Sequence, residues 1–575
     1  MSSAKSASLI EQWRLYLVIF LMFLCLLAIG WQVSTLHIVD RDFLQGQGDI
    51  RTIRTVPLVA NRGLISDRNG EPLAVSSPVK SIWVNPQKIG AQHSEIERLA
   101  MELGLDSDSL LAFMERNSGQ KFLYVKRRLA PAEAERILAL GIDGVYEQQE
   151  YQRFYPQGEV AAHLVGFSNV DDVGQEGLEF SYDGWLRGVP GRRQVIQDQR
   201  GHIIEELNTI ETAQPGKNLE LSIDFRLQNL AYKELKEEFA TRRAKSASIV
   251  VLDVDTGEVL AMANQPSYNP HNRKNLNDFS VLRNRAITDV FEPGSPIKAF
   301  TVTAALESGM YTPDTVIETS PGWMMVNGHE VQDILNYGTL DLTRVITKSS
   351  NIGATKIAFE IGPDPIRDVL ERVGMGQVSG TGFPGEQGGV LPNHRSWSRI
   401  ETATFSFGYG LSTTALQLAR AYSVIADDGI RKPVSLLKLD EDNLRALRRE
   451  QVIDKTISNQ VLAMLETVVD PARGGSARDA RVDFYKVAGK TGTVHVVGKY
   501  GYEDNLHNSL FVGLVPASDP KLVIVVIVNE PKGDEHYGGQ VAAPVFSRVA
   551  SGAMRILNIA PDDLPEDAFR ELSSL

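Results

Sequence analysis

Residues 15–33 form an apolar run in which Gln32 is the one strongly polar interruption. About twenty such residues in a helix are enough to span a bilayer, and few other environments satisfy them. Trp13 and Trp31 flank the run, roughly 27 Å apart along a helix, near where the two interfaces would lie. A cleaved signal peptide is the competing reading, but the run is long and no small-x-small cleavage site follows Gly30. An uncleaved anchor is therefore expected. Lys5, Arg14 and the terminal amine place the short tail in the cytoplasm by the positive-inside rule, opposed by Glu11, so that the chain beyond Asp40 lies outside the cytoplasmic membrane.

That chain has to be stable without crosslinks, because the single cysteine, Cys25, falls within the apolar run. Its size permits this. The 575 residues, 43% hydrophobic and 23% charged, can bury more than one core. A net charge of -13 argues against nucleic acid as a partner.

Between about residues 49 and 213, short β-rich runs alternate with charged helical stretches. Arg62-Gly63-Leu64-Ile65-Ser66 and Pro72-Leu73-Ala74 bracket an Asn69-Gly70 turn, a strand-turn-strand pattern. Surface helices are expected at 95–103 and 131–140. His163 has no cysteine or histidine at metal-ligand spacing, which favours a structural role. This segment reads as non-catalytic.

A boundary follows near Gln214-Pro215-Gly216, after which Asp224 opens an amphipathic helix. Residues 248–253 and 258–263 form one hairpin, and 509–515 and 522–528 another, followed by a helix at 544–557. Strands from both ends of this segment can share one antiparallel sheet with the intervening helices packed on it, an α+β arrangement large enough to divide into a sheet half and an all-helical half.

Phe291-Glu292-Pro293-Gly294-Ser295-Pro296-Ile297-Lys298 sits within it. Pro-Gly signals a turn, and Ile297, Phe300 and Ala304 carry a helical stripe, so Ser295 opens a helix. Lys298 then shares the face of the first turn with Ser295. Ser-x-x-Lys alone recurs by chance in long chains. Here Ser349-Ser350-Asn351 and Lys490-Thr491-Gly492-Thr493 follow it in order. Together the three elements are a known signature of serine enzymes that bind penicillins, with Ser350 where an aspartate is common.

Acyl transfer through serine needs a base, a proton path, an oxyanion hole and a substrate clamp. Lys298 can be the base if burial and a nearby cation, for which Lys490 is the candidate, keep it neutral. Ser349 can pass a proton, and Asn351 can hold Lys298 or a substrate carbonyl. Lys490 to Thr493 is expected on a sheet edge open to β-addition by an extended peptide, with Gly492 leaving room for its backbone. The N–H groups of Ser295 and Thr493 would form the oxyanion hole. Lys490, Thr491 and Thr493 would hold a terminal carboxylate, the two threonines pointing one way and Gly492 the other.

Taken with Arg153-Phe154-Tyr155-Pro156, Gly408-Tyr409-Gly410-Leu411-Ser412 and Tyr537-Gly538-Gly539, these motifs resemble class B penicillin-binding proteins of the septal, cell-division type over nearly the whole chain. The resemblance implies an α+β transpeptidase domain at 223–560, an elongated β-rich pedestal (dimerisation-type) domain at 35–222, a transmembrane helix at 15–34, and tails at 1–14 and 561–575. It implies a peptidoglycan DD-transpeptidase without cofactor: Ser295 attacks D-Ala-D-Ala, D-alanine leaves, and a neighbouring stem peptide's amine takes the acyl group. Tyr409 joins the substrate-binding residues. β-Lactams, stem peptides, a septal membrane glycosyltransferase and other division proteins are the implied partners. A serine β-lactamase, which shares the motifs but has no use for an anchor and pedestal of this length, an elongation-type relative and a non-catalytic division scaffold are the competing readings. Two departures stand out: Pro296 follows the nucleophile, which a first helical turn tolerates, and Phe407 stands where close relatives often carry tyrosine, removing a hydroxyl from the rim.

Overall fold

The computed structural model describes residues 4–43, 53–89, 93–197, 203–273, 278–498 and 501–564. Helix α1 (Ala4–Ser34) opens the chain. With the π-helical turn Thr35–Val39 that continues it, the stretch from Trp13 to Val39, 27 residues with a mean hydropathy of 2.4, is long and apolar enough to cross a membrane. Its side chains are exposed on every side, from Trp13 at 63% through Phe23 at 56% to Trp31 at 77%. Apolar surface all round a helix calls for a non-aqueous surrounding. Cys25 is one of these outward side chains.

Two compact units follow from the packing. The first comprises residues 1–61, 78–151 and 188–215. It holds an antiparallel sheet with Gly191–Gln197 between Ile53–Leu58 and Ile203–Glu211. It also holds the expected helices as His93–Leu103 and Pro131–Leu138. Ile96, Leu99, Ala100 and Leu103 recur at helical spacing and bury one face against Ile82, Val84, Leu110 and Met114.

The second unit comprises residues 62–77, 152–187 and 216–575. Two stretches that precede residue 222, 62–77 and 152–187, thus pack with the second unit. Bonds such as those from the Phe225 N–H to Asp67 and from the Tyr268 hydroxyl to the Ala162 carbonyl tie these two stretches to the rest of the unit, and a buried ion cluster ties them to each other. Glu179 accepts from Arg62 Nε at 2.6 Å and from Arg153 Nε at 2.6 Å, and Asp183 accepts from Arg62 at 2.7 Å. Arg62, Arg153 and Glu179 side chains are at most 1% exposed. Glu179→Ala would leave two guanidinium groups buried without their shared carboxylate, an expected loss of about 3–5 kcal/mol of stability, measurable by denaturant unfolding. His163 belongs here too. It is buried against the edge of Tyr268, its Nε2 is 2.8 Å from the Val281 carbonyl, and burial pushes its pKa down to about 4. A neutral, tethered imidazole is structural.

Asp224 caps α2 (Phe225–Thr241), accepting from the Arg226 N–H. Strands β1 (Ser246–Asp253) and β2 (Val259–Gln265) form the first hairpin. A helical region follows with α3 (Lys298–Glu307), α4 (Leu342–Lys348), α5 (Asn351–Ile361), α6 (Ala415–Ala426) and α7 (Lys455–Glu466). The chain then returns through β3 (Ala488–Gly498), β4 (Gly501–Val515) and β5 (Leu522–Asn529) to α8 (Gly538–Ile556). The sheet order is β2-β1-β5-β4-β3, antiparallel throughout, so strands from both ends of the segment meet as β1 and β5. Helices α2 and α8 cover one face, with Phe546 edge-on to Phe511, and α6 covers the other. Strand β3 lies at one edge. Of the expected C-terminal tail, residues 565–575 lie outside the described residues.

Candidate active site

Ser295 begins a 3-10 turn, Ser295–Ile297, that runs directly into α3. Two glycines position it. Gly294, at φ +63°, donates its N–H to the Gly408 carbonyl at 3.1 Å. Gly408, at φ +91°, packs so closely that a Cβ there would lie 2.1 Å from the Gly294 oxygen. Only glycine satisfies both the angle and the approach. Pro296 gives up an N–H that a first turn would not use, and its carbonyl accepts from the Tyr422 hydroxyl at 2.8 Å. Ser295 is partly exposed, whereas Lys298, one turn below, is 1% exposed.

The Ser349-Ser350-Asn351 element joins α4 to α5. Ser349 adopts a left-handed conformation at φ +57°, which is uncommon for a residue with a Cβ and turns both its oxygens toward the lysines. Lys298 Nζ donates to the Ser349 carbonyl at 2.6 Å and to Asn351 Oδ1 at 2.7 Å, with Ser349 Oγ at 3.2 Å. Lys490 Nζ approaches the same Ser349 Oγ at 2.8 Å and the Thr491 carbonyl at 3.3 Å. The two amines thus flank one hydroxyl. Ser350 is fully buried and caps α5, accepting from the Gly353 N–H at 2.9 Å. It supports the site from behind.

Burial pushes Lys298 down to about 7, against an opposing pull from Asp333. The expected cation is not what lowers it. Lys490 is itself driven well below the ordinary lysine value, by burial first and by Lys298 second. A neutral Lys298 has two N–H bonds, and both have short acceptors in Ser349 O and Asn351 Oδ1. Its lone pair is then free to take a proton.

Alternation along β3 sorts the third element. Lys490 is fully buried on the face turned toward α3, so its ammonium is not presented to a carboxylate in the groove. This corrects the expected clamp. Thr491 and Thr493 take the opposite face: Thr491 Oγ1 is 3.1 Å from Ser476 Oγ, and Thr493 Oγ1 accepts from the Gly538 N–H at 3.0 Å. Gly492 leaves room for a neighbour within the protein, since a Cβ would sit 2.6 Å from Leu510 Cγ. The main-chain N–H groups of Ser295 and Thr493 belong to two elements in contact, because a Cβ on Gly294 would meet Val494 Cγ2 at 2.5 Å.

Tyr409 stands between Phe407 and Tyr502, with ring centroids 5.8 and 5.5 Å away. Burial raises its pKa. Phe407 is 8% exposed, with Lys298 Nζ 6.0 Å from its ring centre. The missing hydroxyl is therefore absent from the buried wall beside the base, where the apolar ring adds to desolvation, and not from the rim.

Three further residues support the site, of which Ser476 and Asp333 belong to no sequence motif. Glu292 Oε1 accepts from the Gly410 N–H at 2.8 Å and from Tyr502 at 3.2 Å, pinning two loops. Ser476 meets Thr491. Asp333, just past the hairpin of Trp323–Val326 and His329–Gln332, accepts from Ser350 Oγ at 2.5 Å, the Asn351 N–H at 2.5 Å and the Ile352 N–H at 3.1 Å. A carboxylate at a helix N-terminus satisfies open donors and complements the dipole.

Two family profiles match the chain: the penicillin binding protein transpeptidase domain over residues 247–551 and the penicillin-binding protein dimerisation domain over residues 57–221. The chain is 44% identical over 556 residues to the probable peptidoglycan D,D-transpeptidase PbpC of Pseudomonas aeruginosa, covering 97% of each. It is 42% identical over 557 residues to the peptidoglycan D,D-transpeptidase FtsI of Escherichia coli, covering 96% of this chain and 93% of that one. Among solved structures, penicillin binding protein 3 from Mycobacterium tuberculosis complexed with aztreonam aligns with a TM-score of 0.66 at 28% identity, over 88% of this chain and 98% of that one.

Proposed function

Since this chain belongs to the penicillin-binding protein transpeptidase family, we propose how its own residues carry out the family's acyl transfer. The chain is a peptidoglycan D,D-transpeptidase of the septal type, a serine acyltransferase acting on stem peptides and bound by β-lactams. Neutral Lys298 takes the proton of Ser295 Oγ as that oxygen attacks the carbonyl of the D-Ala-D-Ala bond. The N–H groups of Ser295 and Thr493 hold the oxyanion, and each such donor is worth about 3 kcal/mol when well placed. Ser349, flanked by Lys298 and Lys490, passes the proton to the departing amine of D-alanine. Thr491 and Thr493 hold the terminal carboxylate, while Asn351, the main chain of Gly492 and Tyr409 line the peptide's path. An amine of a second stem peptide then attacks the acyl-enzyme and restores Ser295.

One observation carries this reading: a lysine one turn from Ser295, buried to a pKa of about 7, and a second lysine both reach Ser349 Oγ, at 3.2 and 2.8 Å. Helix α1 anchors the chain in the cytoplasmic membrane by a single pass, with the N-terminus inside and the catalytic unit in the periplasm. A septal membrane glycosyltransferase and other division proteins are its partners there.

The test is intact-mass analysis after incubation with a penicillin. The wild type is expected to gain one penicillin mass stably and Ser295→Ala none. No adduct on folded wild type, or an undiminished adduct on Ser295→Ala, would overturn the assignment of the nucleophile. Rapid loss of the adduct would point to a β-lactamase instead.

A further inference from the structure

The outer face of β3 does not end at Thr493. By the same alternation His495 continues the row of Thr491 and Thr493, and on β4 it is paired with His507. The two imidazoles lie 4.6 Å apart between ring centres. His507 stacks on His536 at 4.3 Å and 23°, and His536 in turn lies 4.5 Å from Tyr537. Main-chain contacts hold the row to the groove. The His536 carbonyl accepts from Ser509 Oγ at 2.5 Å, and Gly538, two residues on, donates to Thr493 Oγ1. All three histidines are partly exposed, so the row is a surface that a ligand can reach.

Among the described residues, these imidazoles have no internal counter-ion. Glu530, whose N–H bonds the His507 carbonyl, directs its carboxylate to Lys245 at 2.6 Å, and Glu535 directs its own to Arg242 at 2.5 Å. Glu503 offers its main-chain carbonyl to His495 Nδ1 at 3.4 Å while its carboxylate packs against Gly498. Asp534 is exposed to solvent. Toward Tyr409, Glu292 is occupied by Gly410 and Tyr502. Burial first, and then its titratable neighbours His536 and His495, lower the pKa of His507. Three adjacent imidazoles that repel one another on protonation are relieved by an anion placed against them.

We propose that His495, His507 and His536 form a carboxylate subsite at the far end of the substrate edge, occupied by an acidic group of the acyl-donor peptide on the N-terminal side of the scissile bond and engaged as the medium becomes acidic. The subsite rests on the transpeptidase reading, because that reading supplies the direction. A peptide whose terminal carboxylate is held at Thr491 and Thr493, and which pairs antiparallel with β3, runs toward His495. The step from Thr493 to His495 is about 7 Å, two residues of extended chain. An acidic side chain two residues upstream of the terminus would fall within this span.

The test compares acylation of the full chain by benzylpenicillin and by carbenicillin, which adds one carboxylate to the same acyl side chain. Second-order rate constants are measured from about pH 7.5 to about pH 5.5, across the ordinary histidine range. Protonation of Lys298 slows both compounds alike and cancels in their ratio. In the wild type the carbenicillin-to-benzylpenicillin ratio is expected to rise ~2- to 5-fold on acidification, the size of an exposed ion pair. In His495→Gln, His507→Gln and His536→Gln that rise should shrink or vanish. Melting temperatures identify any variant that fails to fold, and the remaining single variants then decide. A flat ratio in the wild type, or an unchanged rise in every folded variant, overturns the subsite and leaves the transpeptidase reading intact. Failure of both compounds to acylate the protein overturns that reading, and the subsite with it.

Discussion

Lys298→Ala is expected to slow acylation by penicillin about 10³-fold, within the range that a positioned general base supplies. The profile with pH carries more information than the rate. A lysine acts as a base only without its proton, and Lys298 loses it near pH 7 because burial disfavours the charged form. Acylation by the wild type should therefore rise with pH through about 7 and then level off. In Lys298→Ala this limb should disappear. Persistence of the same limb in the variant would assign it to another group, with Lys490 the next to examine.

Replacing Asp333 separates charge from support. Asp333 touches neither lysine by hydrogen bond, yet its charge holds the Lys298 pKa up while its oxygens organise the start of α5. Asp333→Asn keeps an acceptor and removes the charge. The acid limb of the acylation profile should then move to lower pH, because protonated Lys298 loses a favourable partner. Asp333→Ala also removes the acceptors of Ser350 Oγ and of two backbone N–H groups, and misplacing Asn351 should reduce the plateau by about 10²-fold. A limb that stays in place in Asp333→Asn would show that Asp333 acts by packing alone.

Much of this site can be read from local sequence because its parts are local structures. The Pro293-Gly294 turn and the stripe through Ile297 and Phe300 place Ser295 at the head of a helix, and β-branched residues around Lys490 place it on a strand. The structure differs in detail, starting the helix as a 3-10 turn. The left-handed conformation of Ser349 has no local signal, since nothing in Lys348-Ser349-Ser350 demands a positive φ. It exists because α5 and Asp333 fix the following residues while Lys298 and Lys490 hold the oxygens. Asp333 is equally silent in the sequence. It lies 17 residues from Ser350 in a loop whose role depends on tertiary packing. Phe407 was legible as a departure but not as a buried one, for its burial depends on the hairpin residues Val326 and Val331, which pack in the same cluster. The packing of two earlier stretches with the second unit was also hidden. The stretches 62–77 and 152–187 join each other through pairings such as Arg62 with Glu179, 117 positions apart, and join the rest of the unit through bonds such as Phe225 N–H to Asp67, 158 positions apart, which no composition shift announces.

Strand β3 sits at the end of its sheet, beyond β4, with Lys490 turned inward and the threonines outward. A substrate that joins such an edge is gripped by its amide groups, which are the same in every peptide. Recognition is thereby delegated to chain ends and to the few positions where a side chain meets the protein. An enzyme built this way tolerates variation in the middle of its substrate and is strict at the terminus. The polymer's composition can then drift over evolutionary time without a matching redesign of the catalyst, whereas a small molecule that imitates the terminus alone is accepted as a substrate and retained.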